Sequence, residues 1–235
     1  MTGVQTCALP ILADDHTIVR EGLKQILAKS GDMVVAGEAA NGNELLRMVR
    51  DDSAVENGRW DVLVTDMSMP GRNGLELIRM VKDIRPRLPV LVLSMYGEEQ
   101  FAVRAIRAGA SGYLNKESAS DQLVGAIRKI AGGGVHVSPA VAEVLFLNVR
   151  DGGDGGKKLP HEQLSNREFQ VLRLIADGHS INDIAKSLNL SAKTVSTHKA
   201  RILEKMKLAN QAELIRYALE HQLASLPHVP QNDSK

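Results

Sequence analysis

Val62-Leu63-Val64-Thr65-Asp66 is the stretch that decides the fold: a short apolar run that stops at a carboxylate. Three other runs end in the same manner. Ile11-Leu12-Ala13 leads into Asp14-Asp15, Val90-Leu91-Val92-Leu93 into Ser94, and Gly112-Tyr113-Leu114 into Asn115-Lys116. Runs of this length between helical stretches read as buried parallel strands. In an open α/β sheet, ligands gather at the carboxyl ends of the strands, near the point where strand order reverses. The pattern therefore carries Asp14, Asp15, Asp66, Ser94 and Lys116 to one edge.

Working outward, the first 130 residues alternate strand and helix. Val19, Leu23, Ile26 and Leu27 recur at helical spacing after the first strand. Residues 33–36 form a second strand and 44–50 a second helix. Further helices fall at 74–84, 98–108 and 121–131. Five successive βα units imply a doubly wound, five-stranded parallel sheet. The polar stretch 53–60 before the third strand reads as a surface insertion. Gly132-Gly133-Gly134 and Asp151–Gly156 read as flexible punctuation around a short helix at 139–149. Beyond Pro160 the pattern is purely helical, with pieces at 166–177, 181–188, 192–206 and 210–222. Ser165-Asn166-Arg167-Glu168 is a capping box, Gly178 a stop, and Ser180 and Ser191 further caps. The predicted organisation is an α/β domain over 11–131, a linker over 132–160, a small all-α domain over 161–223 and a tail over 224–235.

Composition excludes several classes. The chain has 235 residues, 24% of them charged and 43% hydrophobic, as in ordinary soluble proteins. Residues 1–131 hold 16 Lys/Arg against 17 Asp/Glu; residues 161–223 hold 9 against 7, a weak basic bias. Cys7 is the only cysteine, so neither an intrachain disulfide nor a cysteine-based metal site is possible, and a cytoplasmic setting fits. No apolar run approaches the ~18 residues of a membrane span, and the N-terminus lacks the charged start of a signal peptide.

The acidic edge asks for a cation. Two unit charges ~4 Å apart repel by about 4 kcal/mol at an effective dielectric near 20. Hard carboxylate oxygens favour Mg²⁺. With metal bound, Asp66 is a nucleophile toward phosphorus, while Lys116 and Ser94 hold the transferred oxygens. The competing reading makes Asp14 and Asp15 helix caps and Asp66 a loop opener; four converging strand ends weigh against it.

Leu-Ala-Asp14-Asp15-His, Asp66-Met-Ser-Met69-Pro70-Gly, Leu-Ser94-Met-Tyr and Gly-Tyr113-Leu-Asn-Lys116 together resemble the receiver domain of bacterial response regulators, over most of residues 11–131. The resemblance implies that Asp66 accepts a phosphoryl group from a histidine kinase. It also implies that Asp14, Asp15, Asp66 and the Ser68 carbonyl bind Mg²⁺, and that Ser94 moves toward the phosphate with Tyr113 following inward. A plain core aromatic is the alternative for Tyr113. Ser68 and Tyr96 flank the site and bear on water access. One departure stands out: Thr6-Cys7-Ala8-Leu9-Pro10 occupies the start of the first strand, where proline loses a ladder hydrogen bond. Residues 1–10 accordingly read as a non-native segment resembling translated adapter DNA, with an unusual natural N-terminus as the alternative, and the Asp14–Asp15 corner becomes the weak point of the site.

Wheel arithmetic on the 192–206 helix groups Val195, Ile202 and Met206 on one apolar face. Lys193, Ser196, Thr197, Ala200 and Arg201 lie opposite, a small, polar and basic face suited to a major groove. Ser196, Thr197 and Ala200 are candidates for base edges, and Lys193, Lys199 and Arg201 for phosphates. An ordinary solvated helix face is the alternative. Leu164–Leu172, Ile184–Leu188 and Ser191-Ala-Lys-Thr194-Val195-Ser-Thr-His198 resemble the LuxR-type DNA-binding domain, anchored by Glu168, Thr194 and His198. For His198, a phosphate contact or helix packing is favoured over metal ligation. The last helix serves as a dimer contact or as core. Together the halves resemble a NarL/FixJ-type regulator, which implies promoter DNA as a partner, homodimerisation on phosphorylation, and no enzymatic activity. Two rivals are a regulator that binds DNA without phosphorylation and a haloacid-dehalogenase-like phosphatase. The latter expects an Asp where Ser68 stands.

Overall fold

The computed structural model describes residues 8–52, 60–69, 74–95, 98–150, 159–221 and 223–224. The expectations for residues 1–7, the insertion at 53–59, Pro70-Gly71, Tyr96, the glycine-rich 151–158 and the tail beyond 224 lie outside them. The chain divides into two compact units, Met1–Gly155 and Gly156–Lys235.

In the first unit, β1 (Pro10–Ala13), β2 (Gly37–Ala39), β3 (Val62–Asp66), β4 (Val90–Ser94) and β5 (Gly112–Asn115) form one parallel sheet in the order β2-β1-β3-β4-β5. Strand order reverses between β1 and β3, which is where such a sheet opens a crevice at its carboxyl edge. The register keeps the chemistry level: Ala13 pairs with Thr65, Asp66 with Leu93, and Ser94 with Asn115. β1, β3 and β4 are buried throughout, so their apolar runs are continuous and do not alternate.

Helices α1 (Thr17–Ala28) and α5 (Ala119–Ala131) cover one face. Leu23, Leu27, Leu123, Ile127 and Ile130 pack there against Leu12, Val64, Leu91 and Leu114. Helices α2 (Gly42–Asp52), α3 (Gly74–Ile84) and α4 (Glu98–Arg107) follow one another as the remaining layer. Gly74 opens α3 hard against the end of β3. A Cβ on it would run into the Met67 carbonyl, so the absence of a side chain sets how closely α3 approaches the loop after Asp66.

Two expectations are corrected. The second strand is Gly37–Ala39, not residues 33–36. Val34 N donates to Ala8 O and Ala36 N to Pro10 O, but Pro10 has no N–H to return. The regular ladder therefore starts only at Ile11 and Gly37. Pro10 itself is buried and pairs with Val62, as the first residue of its strand, a position proline tolerates. The other correction concerns Gly132-Gly133-Gly134, which are not flexible punctuation, whereas the helix expected at 139–149 is present. Gly132, Gly133 and Gly134 donate back into the last turn of α5. His136 then pairs beside β5, its N–H donating to Ser111 O and its carbonyl accepting from Tyr113 N. Helix α6 (Pro139–Arg150) packs on α4 and buries Val141.

The second unit contains α7 (Asn166–Ala176), α8 (Ile181–Ser187), α9 (Ala192–Met206) and α10 (Gln211–Glu220), preceded by a 3-10 turn over Pro160–Gln163. The caps read from sequence are in place. Ser165 and Glu168 complete the capping box, and Ser180 and Ser191 accept from Asp183 N and Thr194 N. Gly178 leaves α7 at φ +87°, the left-handed geometry glycine enters without penalty. Phe169, Leu172, Ile175, Ile184, Val195, Ile202, Met206, Leu214 and Ala218 make a core separate from that of the sheet. No described helix is long and apolar enough to cross a membrane.

Candidate functional site

The strand ends converge through one ammonium. Lys116 Nζ, just past β5, lies 2.7 Å from Asp14 Oδ2 and 2.9 Å from Asp66 Oδ1. Asp14 is only 1% exposed and Asp66 5%. The second oxygen of each acid is also engaged: Asp14 Oδ1 accepts from His16 N at 2.8 Å, and Asp66 Oδ2 from Ser68 N at 3.1 Å. Burial pushes the Asp66 carboxyl up. Lys116 pulls it back in part, and nearby Asp14 adds to the rise. Burial also works against the Lys116 charge, but Asp66 and Asp14 outweigh it and hold the proton above the usual lysine range.

Asp15 differs from its neighbours. Its Oδ1 is shut off from solvent and accepts no hydrogen bond. Among the described residues the His16 ring is the group that approaches it: Nδ1 stands 3.1 Å from that atom and 3.2 Å from Asp14 Oδ1. Asp14 and Asp66 share the Lys116 ammonium, and among the described residues the buried Asp15 oxygen has no hydrogen-bond donor. Among the described residues Asp14, Asp15 and His16 bring ligand atoms within 4.8 Å of one another, and the carboxylate oxygens there and on Asp66 suit a hard divalent cation. Ser94 is buried at the end of β4, Tyr113 is buried within β5, and Ser68 is exposed beside Asp66. His16 escaped the sequence reading as a member of the cluster, although its adjacency to two acids was visible.

The second site is the exposed face of α9. Val195, Ile202 and Met206 are buried, as the wheel requires. Lys193, Ser196, Thr197, Ala200 and Arg201 are exposed. Ser196 Oγ and Thr197 Oγ1 donate to the carbonyls of Ala192 and Lys193, four residues back. The remaining three candidates are less free. Thr194 is half-buried, its hydroxyl 2.8 Å from that of Ser191 in the cap. Lys199 Nζ donates to Gln211 Oε1 at 2.7 Å, and His198 is half-buried with Nδ1 closed off and without a hydrogen bond. Burial lowers the His198 proton affinity and favours the neutral ring, which agrees with packing. Behind α9, Lys205 Nζ donates to buried Glu168 Oε2 at 2.6 Å, clipping the start of α7 to the end of α9.

Comparison with known proteins agrees with both halves. The response regulator receiver domain family matches residues 11–128, and the luxR family of bacterial regulatory proteins matches residues 162–218. The oxygen regulatory protein NreC of Staphylococcus haemolyticus is 36% identical over 217 residues, covering 91% of this chain and 97% of NreC. The response regulator UvrY of Escherichia coli is 32% identical over 215 residues, covering 92% and 95%. Among solved structures, RcsB from Salmonella enterica serovar Typhimurium, bound to promoter rprA in the presence of phosphomimetic BeF3-, superposes with a TM-score of 0.51 at 28% identity, over 89% of this chain and 97% of RcsB. With the sheet order, the acid edge and the capped helical unit, these likenesses place the chain among the two-component response regulators of the NarL/FixJ type, a receiver domain followed by a LuxR-type DNA-binding domain.

Proposed function

We propose that Asp66 is the phosphoacceptor and that the exposed face of α9 reads promoter DNA once Asp66 is phosphorylated. The carrying observation is the shared ammonium: Lys116 holds Asp66 and Asp14 together at the carboxyl edge of a buried sheet. In the transfer, the P–N bond of a kinase phosphohistidine breaks and an O–P bond forms on the Asp66 carboxylate; the imidazole leaves as a neutral base after taking up a proton. Asp14, Asp15, Asp66 and the Ser68 carbonyl would hold Mg²⁺, which supplies positive charge to the phosphoryl oxygens. Lys116 orients Asp66 before transfer and meets the new phosphoryl charge afterwards. Ser94, on the adjacent strand end, offers its hydroxyl to the same group, and buried Tyr113 sits on the strand next to it.

In the second unit, Ser196, Thr197 and Ala200 face base edges while Lys193 and Arg201 face phosphates. Lys199, Thr194 and His198 support the helix as well as bordering that face. A cytoplasmic homodimer on paired half-sites is the working assembly. The direct test is phosphoryl uptake from a small acyl phosphate, followed on a phosphate-affinity gel. Wild type shifts and Asp66→Asn does not; equal uptake by the two overturns the assignment.

A further inference from the structure

We propose that Arg20 is a positioning residue for the divalent-cation site, acting through the peptide that joins Asp14 to Asp15. The inference rests on reading the acid cluster as a Mg²⁺ site. Arg20 stands one turn into α1, and its side chain, 13% exposed, turns its guanidinium back toward the strand end. Nη1 donates to the Asp14 carbonyl at 2.7 Å, Nε reaches Glu38 Oε2 at 3.3 Å, and Nη2 approaches Thr17 Oγ1 at 3.5 Å. Glu38, on β2, also receives Lys24 Nζ at 2.8 Å, and Lys24 meets Glu21 at 2.6 Å. The guanidinium is thus held by charge at one end and grips main chain at the other.

The two acids differ in what fixes them. Asp14 is clamped without Arg20: its N donates to Ala39 O, and its carboxylate is held by His16 N and Lys116. Asp15 is held less: among the described residues its carboxylate meets only the exposed His16 ring, at 3.1 Å, and its buried Oδ1 accepts no hydrogen bond. The carbonyl that Arg20 grips belongs to the peptide plane that sets where Asp15 leaves the strand. Releasing it frees Asp15 while Asp14 stays. The planar fork is required because one group must bond a carbonyl and a carboxylate in different directions. Partners that orient ligands in this indirect manner change metal affinity by about 10-fold or more when removed.

The test is Mg²⁺ binding by calorimetry on the full chain, with melting temperature in EDTA as the control for folding. Arg20→Ala weakens Mg²⁺ binding about 10-fold. Arg20→Lys, keeping a cation but not the fork, falls between it and wild type, and Glu38→Gln shifts in the same direction. Arg20→Ala with wild-type affinity overturns the inference. If Arg20→Ala fails to fold, Arg20→Lys and Glu38→Gln decide: wild-type affinity in both overturns it. A wild-type chain that takes up no Mg²⁺ overturns the metal reading itself, and is told apart because the failure is then common to every variant.

Discussion

Asp66 in the first unit and Glu168 in the second are both buried carboxylates facing a lysine ammonium, at 2.9 Å and 2.6 Å. Their proton affinities nevertheless move in opposite directions. At Asp66 burial wins, because Lys116 divides its charge with Asp14 and the second acid adds repulsion. At Glu168 burial also raises the proton affinity, but Lys205 and the Ser165 N–H together overcome it and hold the carboxyl below the usual glutamate range. The signs follow from linkage. Asp66, raised in the folded state, is a liability at neutral pH that eases as pH falls through its folded value. Glu168, lowered, contributes stability at neutral pH that is lost as pH falls from the ordinary glutamate range toward its folded value. A carboxylate left under-compensated is available for a cation or for chemistry; a fully compensated one is a clip.

The harshest way to break this contrast is Lys116→Met, which strands two buried carboxylates. Removing one partner of a buried ion pair costs about 3–5 kcal/mol. In urea unfolding the loss is largest at neutral pH and shrinks on acidification or on adding Mg²⁺. A loss equal at all pH values would mean that Lys116 serves only by packing. Next comes Ile202→Ala, which empties a fully buried site in α9 at a cost of about 3 kcal/mol. DNA binding fails while phosphoryl uptake at Asp66 persists, since the two cores are separate. Uptake that collapsed as well would show that the units fold as one.

Smaller effects sharpen the comparison. Glu168→Gln keeps the shape and removes the charge, costing about 1–2 kcal/mol at neutral pH. The gap from wild type closes as pH falls below the ordinary glutamate range; a gap that widens in acid would reverse the sign argued above. On α9, Thr197→Ala and Lys193→Ala each cost about 1 kcal/mol of DNA affinity, in different ways. The threonine change alters preference among operator sequences. The lysine change weakens all sequences alike and flattens the salt dependence. Identical sequence profiles and salt slopes for the two would refute that division.

Much of this was legible in the chain. The C-terminal helices obey local rules, in which Ser165, Ser180 and Ser191 cap and Val195, Ile202 and Met206 repeat at helical spacing. Their boundaries and buried faces agree with expectation because caps and periodicity are short-range. The strand ends were equally plain, since buried parallel strands leave uninterrupted apolar runs. Misreadings occurred where pairing overrode composition. Residues 33–36 look like strand, yet the ladder waits for Gly37 because Pro10 cannot donate. Glycines 132–134 look like a hinge, yet they close α5 and lead His136 onto the sheet edge. His198 and Lys199 belong to a motif, but how far they are covered depends on how α7 and α8 pack on α9 and on the Gln211 side chain that meets Lys199.

The sequence by itself determined the strand ends, the caps and the element on which each candidate residue sits, because periodicity, caps and strand length are properties of neighbouring residues. Only the tertiary structure decided who compensates whom. Lys116 reaches Asp14 across 102 residues, Arg20 turns back to a carbonyl six residues earlier, and Lys205 meets Glu168 across 37. The Lys116 and Lys205 contacts depend on the register of distant strands and the crossing of packed helices, so neither leaves a pattern in the chain, and they move the proton affinities of Asp66 and Glu168.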